Sequence, residues 1–169
     1  MESLKEVVEL ASGNAFIQWL NEEKGTNYSF FGRADRAPDL VYKDGDKVLE
    51  IEHTAAYYDG SHAKFVWDGA RKDDDVIGPW IGCDPHDALA SEIKNRISEK
   101  SKKDYGKDCI LLIEVPPGVT SIEELRARLR NFSEILDENK FKGVYVAGRF
   151  PMTSRSYGGY HVIEIKKNS

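Results

Sequence analysis

A chain of 169 residues, 40% hydrophobic and 31% charged, is long enough to bury one core and short for two, so a single globular domain over 1–169 is expected. No apolar run approaches the roughly 20 residues needed to cross a bilayer, the start is acidic and helix-like rather than that of a signal peptide, and Cys83 and Cys109 make no disulfide framework. A cytoplasmic protein with no membrane partner is therefore expected. The net charge of −5 argues against blanket electrostatic binding of nucleic acid, so any phosphate contact has to be local or helped by a bound cation.

Leu4, Val7, Val8, Ala11, Ala15 and Trp19 fall on one apolar stripe and predict an amphipathic first helix, with Ser12-Gly13-Asn14 as a break candidate and Gly25 as its stop. Residues 28–53 read as extended chain with hairpin punctuation. Residues 54–83 are poorly periodic and mix Tyr57, Phe65, Trp67 and Trp80 with basic side chains. A second helix opens at Asp84-Pro85, an N-cap followed by proline at the first helical position, and runs to about Tyr105 before Gly106. The apolar run Cys109–Val115 suits a central strand covered on both faces, and Pro116-Pro117-Gly118 ends it. A capping box at Ser121–Glu124 starts a helix whose apolar positions are Ile122, Leu125, Leu129, Phe132 and Leu136. Residues 143–148 and 160–165 predict two closing strands. There is no internal repeat. The order predicts an α/β domain, a mixed β-sheet flanked by helices.

The stretch that carries chemistry is Ala37–His53. Asp44-Gly45 between two alternating runs predicts a two-residue hairpin loop. Lys43 would then pair with Asp46, Val41 with Val48, Leu40 with Leu49 and Asp39 with Glu50. Alternation places Glu52 on the same face as Asp39 and Glu50, and turns Leu40, Leu49 and Ile51 to the other. Carboxylates facing one another repel, burial would push one towards protonation, and a hard divalent cation such as magnesium relieves both. The alternative is a solvated edge with its acids in water.

Pro38-Asp39, ten intervening residues, then Glu50-Ile51-Glu52 resembles the active-site signature of the PD-(D/E)XK nuclease superfamily, the restriction-endonuclease-like fold. The element order from about Leu4 to Val115 resembles that fold too. The resemblance implies that Asp39 and Glu50 bind Mg²⁺ or Mn²⁺, with the Ile51 carbonyl as a further ligand, and that a metal-bound water attacks the phosphodiester. It departs at one point, because Glu52 stands where the family carries lysine. Glu52 would bind a second cation or accept a proton from the attacking water, or its presence marks an inactive binding module. Lys100 continues the inward stripe of Leu89, Ile93 and Ile97, so it is either a substitute for the missing lysine or a cation snorkelling at a helix end. Glu9 is the first-helix candidate for a metal-facing acid, although it projects away from the apolar stripe.

Lys100, Lys102, Lys103 and Lys107 form the densest basic patch, and Arg33 and Arg36 precede the motif; either group could hold phosphates or simply be solvated. His53 alternates to the face opposite Glu52 and reads as packing. Cys83-x-x-His86 is half a zinc site. The expected activity is a Mg²⁺-dependent endonuclease-like hydrolase acting on nucleic acid, DNA rather than RNA, with a homodimer left open. The alternative is a catalytically inactive nuclease-fold module that binds nucleic acid or a partner protein.

Overall fold

In a computed structural model the described residues are 3–56, 85–115, 121–130, 140–150 and 159–165. The expectations for 57–84, which hold most of the aromatic and basic segment and Cys83, and those for Pro116-Pro117-Gly118, Phe132 and Leu136, lie outside them.

Helix α1 spans Leu4–Lys24. Its first turn is closed by a capping box that the sequence spells as Ser3-x-x-Glu6: the Ser3 hydroxyl accepts from Glu6 N at 3.2 Å, and the Glu6 carboxylate accepts from Ser3 N at 2.7 Å. Gly25, at φ +65°, ends it in the left-handed conformation that glycine adopts without strain.

The helix is unbroken at Ser12-Gly13-Asn14, and it packs through a face rotated from the predicted stripe, of which Trp19 still meets the core. Glu9, Ser12, Gly13, Phe16 and Ile17 are buried, whereas Leu4, Val7 and Val8 are exposed. The cause is Gly13. A Cβ there would meet Leu40 Cδ1 at 2.5 Å and Tyr42 Oη at 2.7 Å, so only a residue without a side chain lets the helix lie this close to the sheet. Tyr42 Oη donates to Asn14 Oδ1 at 2.8 Å on the same seam. Gly13→Ala is expected to lower stability by about 1–3 kcal/mol, the usual cost of overpacking, even though alanine is the better helix former. Urea denaturation of the two proteins checks this.

Six strands are described: β1 (Ser29–Gly32), β2 (Leu40–Asp44), β3 (Lys47–Ala55), β4 (Cys109–Glu114), β5 (Gly143–Phe150) and β6 (Gly159–Ile165). They form one mixed sheet in the order β1-β2-β3-β4-β5-β6. β3, β4 and β5 are parallel, and antiparallel pairs flank them on both sides. Parallel neighbours need crossovers, and the described helices α2 (Pro85–Ser101) and α3 (Ile122–Leu129) lie in those two connections. This is the expected α/β class with its mixed sheet.

The sheet is covered on both faces. On one, Leu89, Ile93 and Ile97 of α2 and Leu125 of α3 pack on Leu111 and Ile113. On the other, Phe16 and Ile17 of α1 pack on Leu40, Tyr42, Ile51 and Leu112. Every residue of Cys109–Ile113 is accordingly buried, as a doubly covered central strand requires. α2 ends at Ser101 rather than near Tyr105, because Asp104 accepts from Gly106 N at 2.9 Å and Gly106 sits at φ +97°, which makes a turn of the last predicted residues. Among the described residues no helix is long and apolar enough to cross a membrane.

Candidate active site

The β2–β3 hairpin turns on Gly45-Asp46, one residue later than predicted. Its pairs are Asp44↔Lys47, Lys43↔Val48, Tyr42↔Leu49, Val41↔Glu50 and Leu40↔Ile51. The predicted pairs Lys43–Asp46, Val41–Val48, Leu40–Leu49 and Asp39–Glu50 are therefore corrected. Gly45, at φ +59°, takes the first of two loop positions, and no described residue other than glycine has positive φ. That pattern suits a II′-type loop, whereas a loop centred on Asp44-Gly45 would have required positive φ at Asp44. The observed register also sets Asp44 against Lys47 and packs the buried Tyr42 beside Leu49.

A shift of two residues leaves each side chain on its predicted face. Asp39, Glu50 and Glu52 still share a face, but the partner of Asp39 changes. Asp39 directly precedes the Leu40↔Ile51 pair, so continuing the ladder by one step sets it against Glu52. A hydrogen bond fixes it there: His53 N donates to Asp39 Oδ2 at 2.9 Å. Glu50 lies one pair further along, opposite Val41, half-buried. Burial and the neighbouring Asp108 charge hold its carboxyl above the usual range. Ile51 is fully buried between Leu40 and Ile110.

Glu52 is the unusual residue. It is 4% exposed on the α2 face of the sheet, beside Leu111. Lys100, one turn beyond the buried Ile97, reaches back and donates to Glu52 Oε1 at 2.7 Å. The inward-facing lysine of the sequence reading is thus placed on the motif acid. Glu52 Oε2 is buried and has no hydrogen-bond partner among the described residues. Burial pushes the Glu52 carboxyl up; the bond to Lys100 opposes this, and the charges of Asp39 and Glu9 add to it. Burial acts to lower the Lys100 ammonium, but the hydrogen bond and charge of Glu52 outweigh it, so the lysine is held above its ordinary value and stays protonated.

Glu9 is buried at 5% exposure because α1 presents the face that sequence periodicity assigned to solvent. Arg33 Nη1 donates to Glu9 Oε2 at 3.3 Å, Arg33 Nη2 donates to the Glu6 carbonyl at 2.6 Å, and Lys5 Nζ lies 3.5 Å from Glu9 Oε1. A recess of about 370 Å³, lined by Lys5, Arg33, Arg36, Glu9 and Asp39 among others, opens beside these groups.

Of the basic patch, Lys100 belongs to Glu52 and Lys102 pairs with Glu99 at 3.0 Å. Tyr105, expected only as a helix end, stacks on Phe141 with ring centroids 5.4 Å apart. Burial and the Glu52 charge raise its phenol, so it remains a donor. The His53 ring is buried on the α1 face as expected, and its Nε2 lies 3.0 Å from Glu114 Oε2. Cys109 is free and buried, with its thiol pushed up to about 12 by burial, which leaves it unreactive.

Among the described residues no three His, Cys, Asp or Glu side chains stand close enough together to enclose a metal ion. The donor set that does suit a hard cation is the pair Asp39 and Glu52, because Glu52 Oε2 is a buried acceptor without a donor. No protein family, curated protein or solved structure matches the chain.

Proposed function

We propose that this chain is a Mg²⁺- or Mn²⁺-dependent nuclease that hydrolyses phosphodiester bonds of nucleic acid, DNA rather than RNA. One observation carries the reading. A glutamate buried to 4% exposure, with one oxygen held by a lysine and the other unpaired, sits across the hairpin from an aspartate whose carboxylate is itself anchored. An unsatisfied buried carboxylate oxygen costs free energy, and sites of function are where such a cost persists. Among the described elements, the order of helix, three strands, helix and strand resembles that of the PD-(D/E)XK superfamily and supports the same reading.

Asp39 and Glu52 would hold the cation, Glu52 through Oε2, with Glu50 and the Ile51 carbonyl further along as the donors carried over from the resemblance. A bound cation would lower the pKa of a water and offset charge developing on the phosphate. Lys100 takes the part of the motif lysine from a helix instead of a strand: protonated and anchored on Glu52 Oε1, it orients that carboxylate and presents positive charge to the scissile group. Lys5, Arg33 and Arg36 supply local phosphate contacts beside Asp39, which reconciles nucleic-acid binding with a net charge of −5.

The test is incubation of the protein with supercoiled, linear and single-stranded DNA and with RNA, in Mg²⁺, Mn²⁺ or chelator. Cleavage that needs the metal and is lost in Asp39→Ala is expected. Binding that persists in chelator, with no cleavage of any substrate in metal, would instead identify an inactive nuclease-fold module.

A further inference from the structure

On the sheet face opposite Glu52, a second cleft of about 600 Å³ opens between α1 and the C-terminal ends of β4 and β5. That is the size of a small-ligand site. Its helix wall is recessed by Ala11 and Ala15 and closed by Trp19, whose ring is set by Phe16 at 5.7 Å and Tyr145 at 6.1 Å between centroids. Its sheet wall carries Glu114, Arg149 and Tyr160. The Glu114 side chain is 37% exposed and fixed by the His53 ring, 6% exposed, at 3.0 Å from Oε2; its Oε1 therefore remains an oriented acceptor. The Tyr160 hydroxyl is buried without a hydrogen-bond partner among the described residues, and burial together with the Glu114 charge keeps it in its neutral, donating form.

We infer that this cleft binds a mononucleotide whose base carries an exocyclic amino group. Each part of the ligand has a counterpart. The aromatic and small apolar residues take the face of a planar ring. Glu114 accepts from the amino group, as an acid does from cytosine N4. Arg149 takes the phosphate. An aromatic amino acid is the nearest rival. Glu114 pairs with Ala147, and Arg149 stands two residues further along β5. Strand rise and spacing then put the two α-carbons roughly 8 Å apart. A nucleotide carries its amino group and its phosphate at opposite ends, while an amino acid carries its ammonium and carboxylate on one carbon.

The inference needs neither a cation nor cleavage, so the experiment is calorimetric titration of the intact protein in chelator. The probes are AMP, CMP, GMP, UMP and TMP, with tryptophan as the rival ligand. AMP, CMP or GMP is expected to bind at least about tenfold more tightly than UMP and TMP, the penalty for leaving one charged acceptor unpaired. Glu114→Gln is expected to level that preference. Arg149→Ala is expected to weaken nucleotides and leave the matching nucleosides unchanged. Ala15→Trp, at a half-buried position of the α1 wall, fills the recess and is expected to abolish binding with unchanged circular dichroism. No binding by any nucleotide, binding of tryptophan alone, equal affinity across the nucleotides, or full binding by Ala15→Trp would each overturn the inference.

Discussion

Glu52→Gln is expected to lower metal-dependent cleavage by at least about a hundredfold, the lower end of what one positioned acid–base or metal-binding group contributes, while circular dichroism stays unchanged. Glutamine keeps the shape and the bond to Lys100 but removes the charge that a cation would need. Asp39→Asn is expected to do the same, because it removes the facing carboxylate. Glu50→Gln is expected to cost less than either, since the observed register puts Glu50 opposite Val41 and one step from the Asp39–Glu52 pair. Initial rates on the best substrate, measured for the three variants side by side, decide the matter. A Glu50 variant as damaged as the other two would return the metal to the Asp39–Glu50 pair that the sequence alone predicted.

Lys100→Met is expected to destabilise the fold, and to do so in a pH-dependent way. Removing one partner of a fully buried ion pair costs about 3–5 kcal/mol. Lys100 is 27% exposed, so roughly 2 kcal/mol at pH 8 is the fitting expectation. The sign follows from Glu52. Its carboxyl stands above the ordinary 4.5 in the folded chain, so the folded state holds the proton more tightly than the unfolded state does, and ionisation costs stability. That cost is absent below the unfolded value and complete once pH has passed the raised folded one. Without Lys100 the main downward influence on Glu52 is gone, the folded value rises further, and the cost grows. Urea midpoints for wild type and Lys100→Met should therefore converge near pH 4 and separate as pH rises. Adding Glu52→Gln to Lys100→Met should restore most of the loss at pH 8, because the uncompensated charge is then removed. A pH-independent difference, or a double variant as weak as the single, would mean that Lys100 contributes through packing of its stem.

The contrast between β4 and α1 shows what the sequence made legible. Cys109–Ile113 is apolar at each position, and only a strand covered on both faces asks for that. In α2 the stripe of Leu89, Ile93 and Ile97 carries the large apolar side chains of its inner face, so its extension to Lys100 already pointed at the site. α1 has two faces that can pack. Leu4, Val7 and Val8 are the more hydrophobic, yet the helix turns them outward because the notch at Gly13 permits a closer approach than any stripe of larger residues. The same turn of the helix buries Glu9, and the guanidinium that satisfies it belongs to Arg33, 24 positions away. The hairpin loop was found and its centre misplaced by one, since Asp44-Gly45 and Gly45-Asp46 are both acceptable two-residue loops. Pairing of Tyr42 with Leu49 and of Asp44 with Lys47, and the positive φ falling on Gly45 rather than Asp44, select the second. Parity survived the error, so the common face of the acids was legible although their pairing was not. The contacts of Glu114 with His53 and of Tyr105 with Phe141 join distant segments and left no local signal.

The six described strands lie side by side in the order in which they occur along the chain. No strand has to be inserted between two that are already joined. During synthesis, where chains fold from the N-terminus at about 5–20 residues per second, each new strand meets an edge that its predecessor has left open. The hairpin bearing Asp39 and Glu52 can close early and locally, and Lys100 then arrives with α2 to cover an acid already in place.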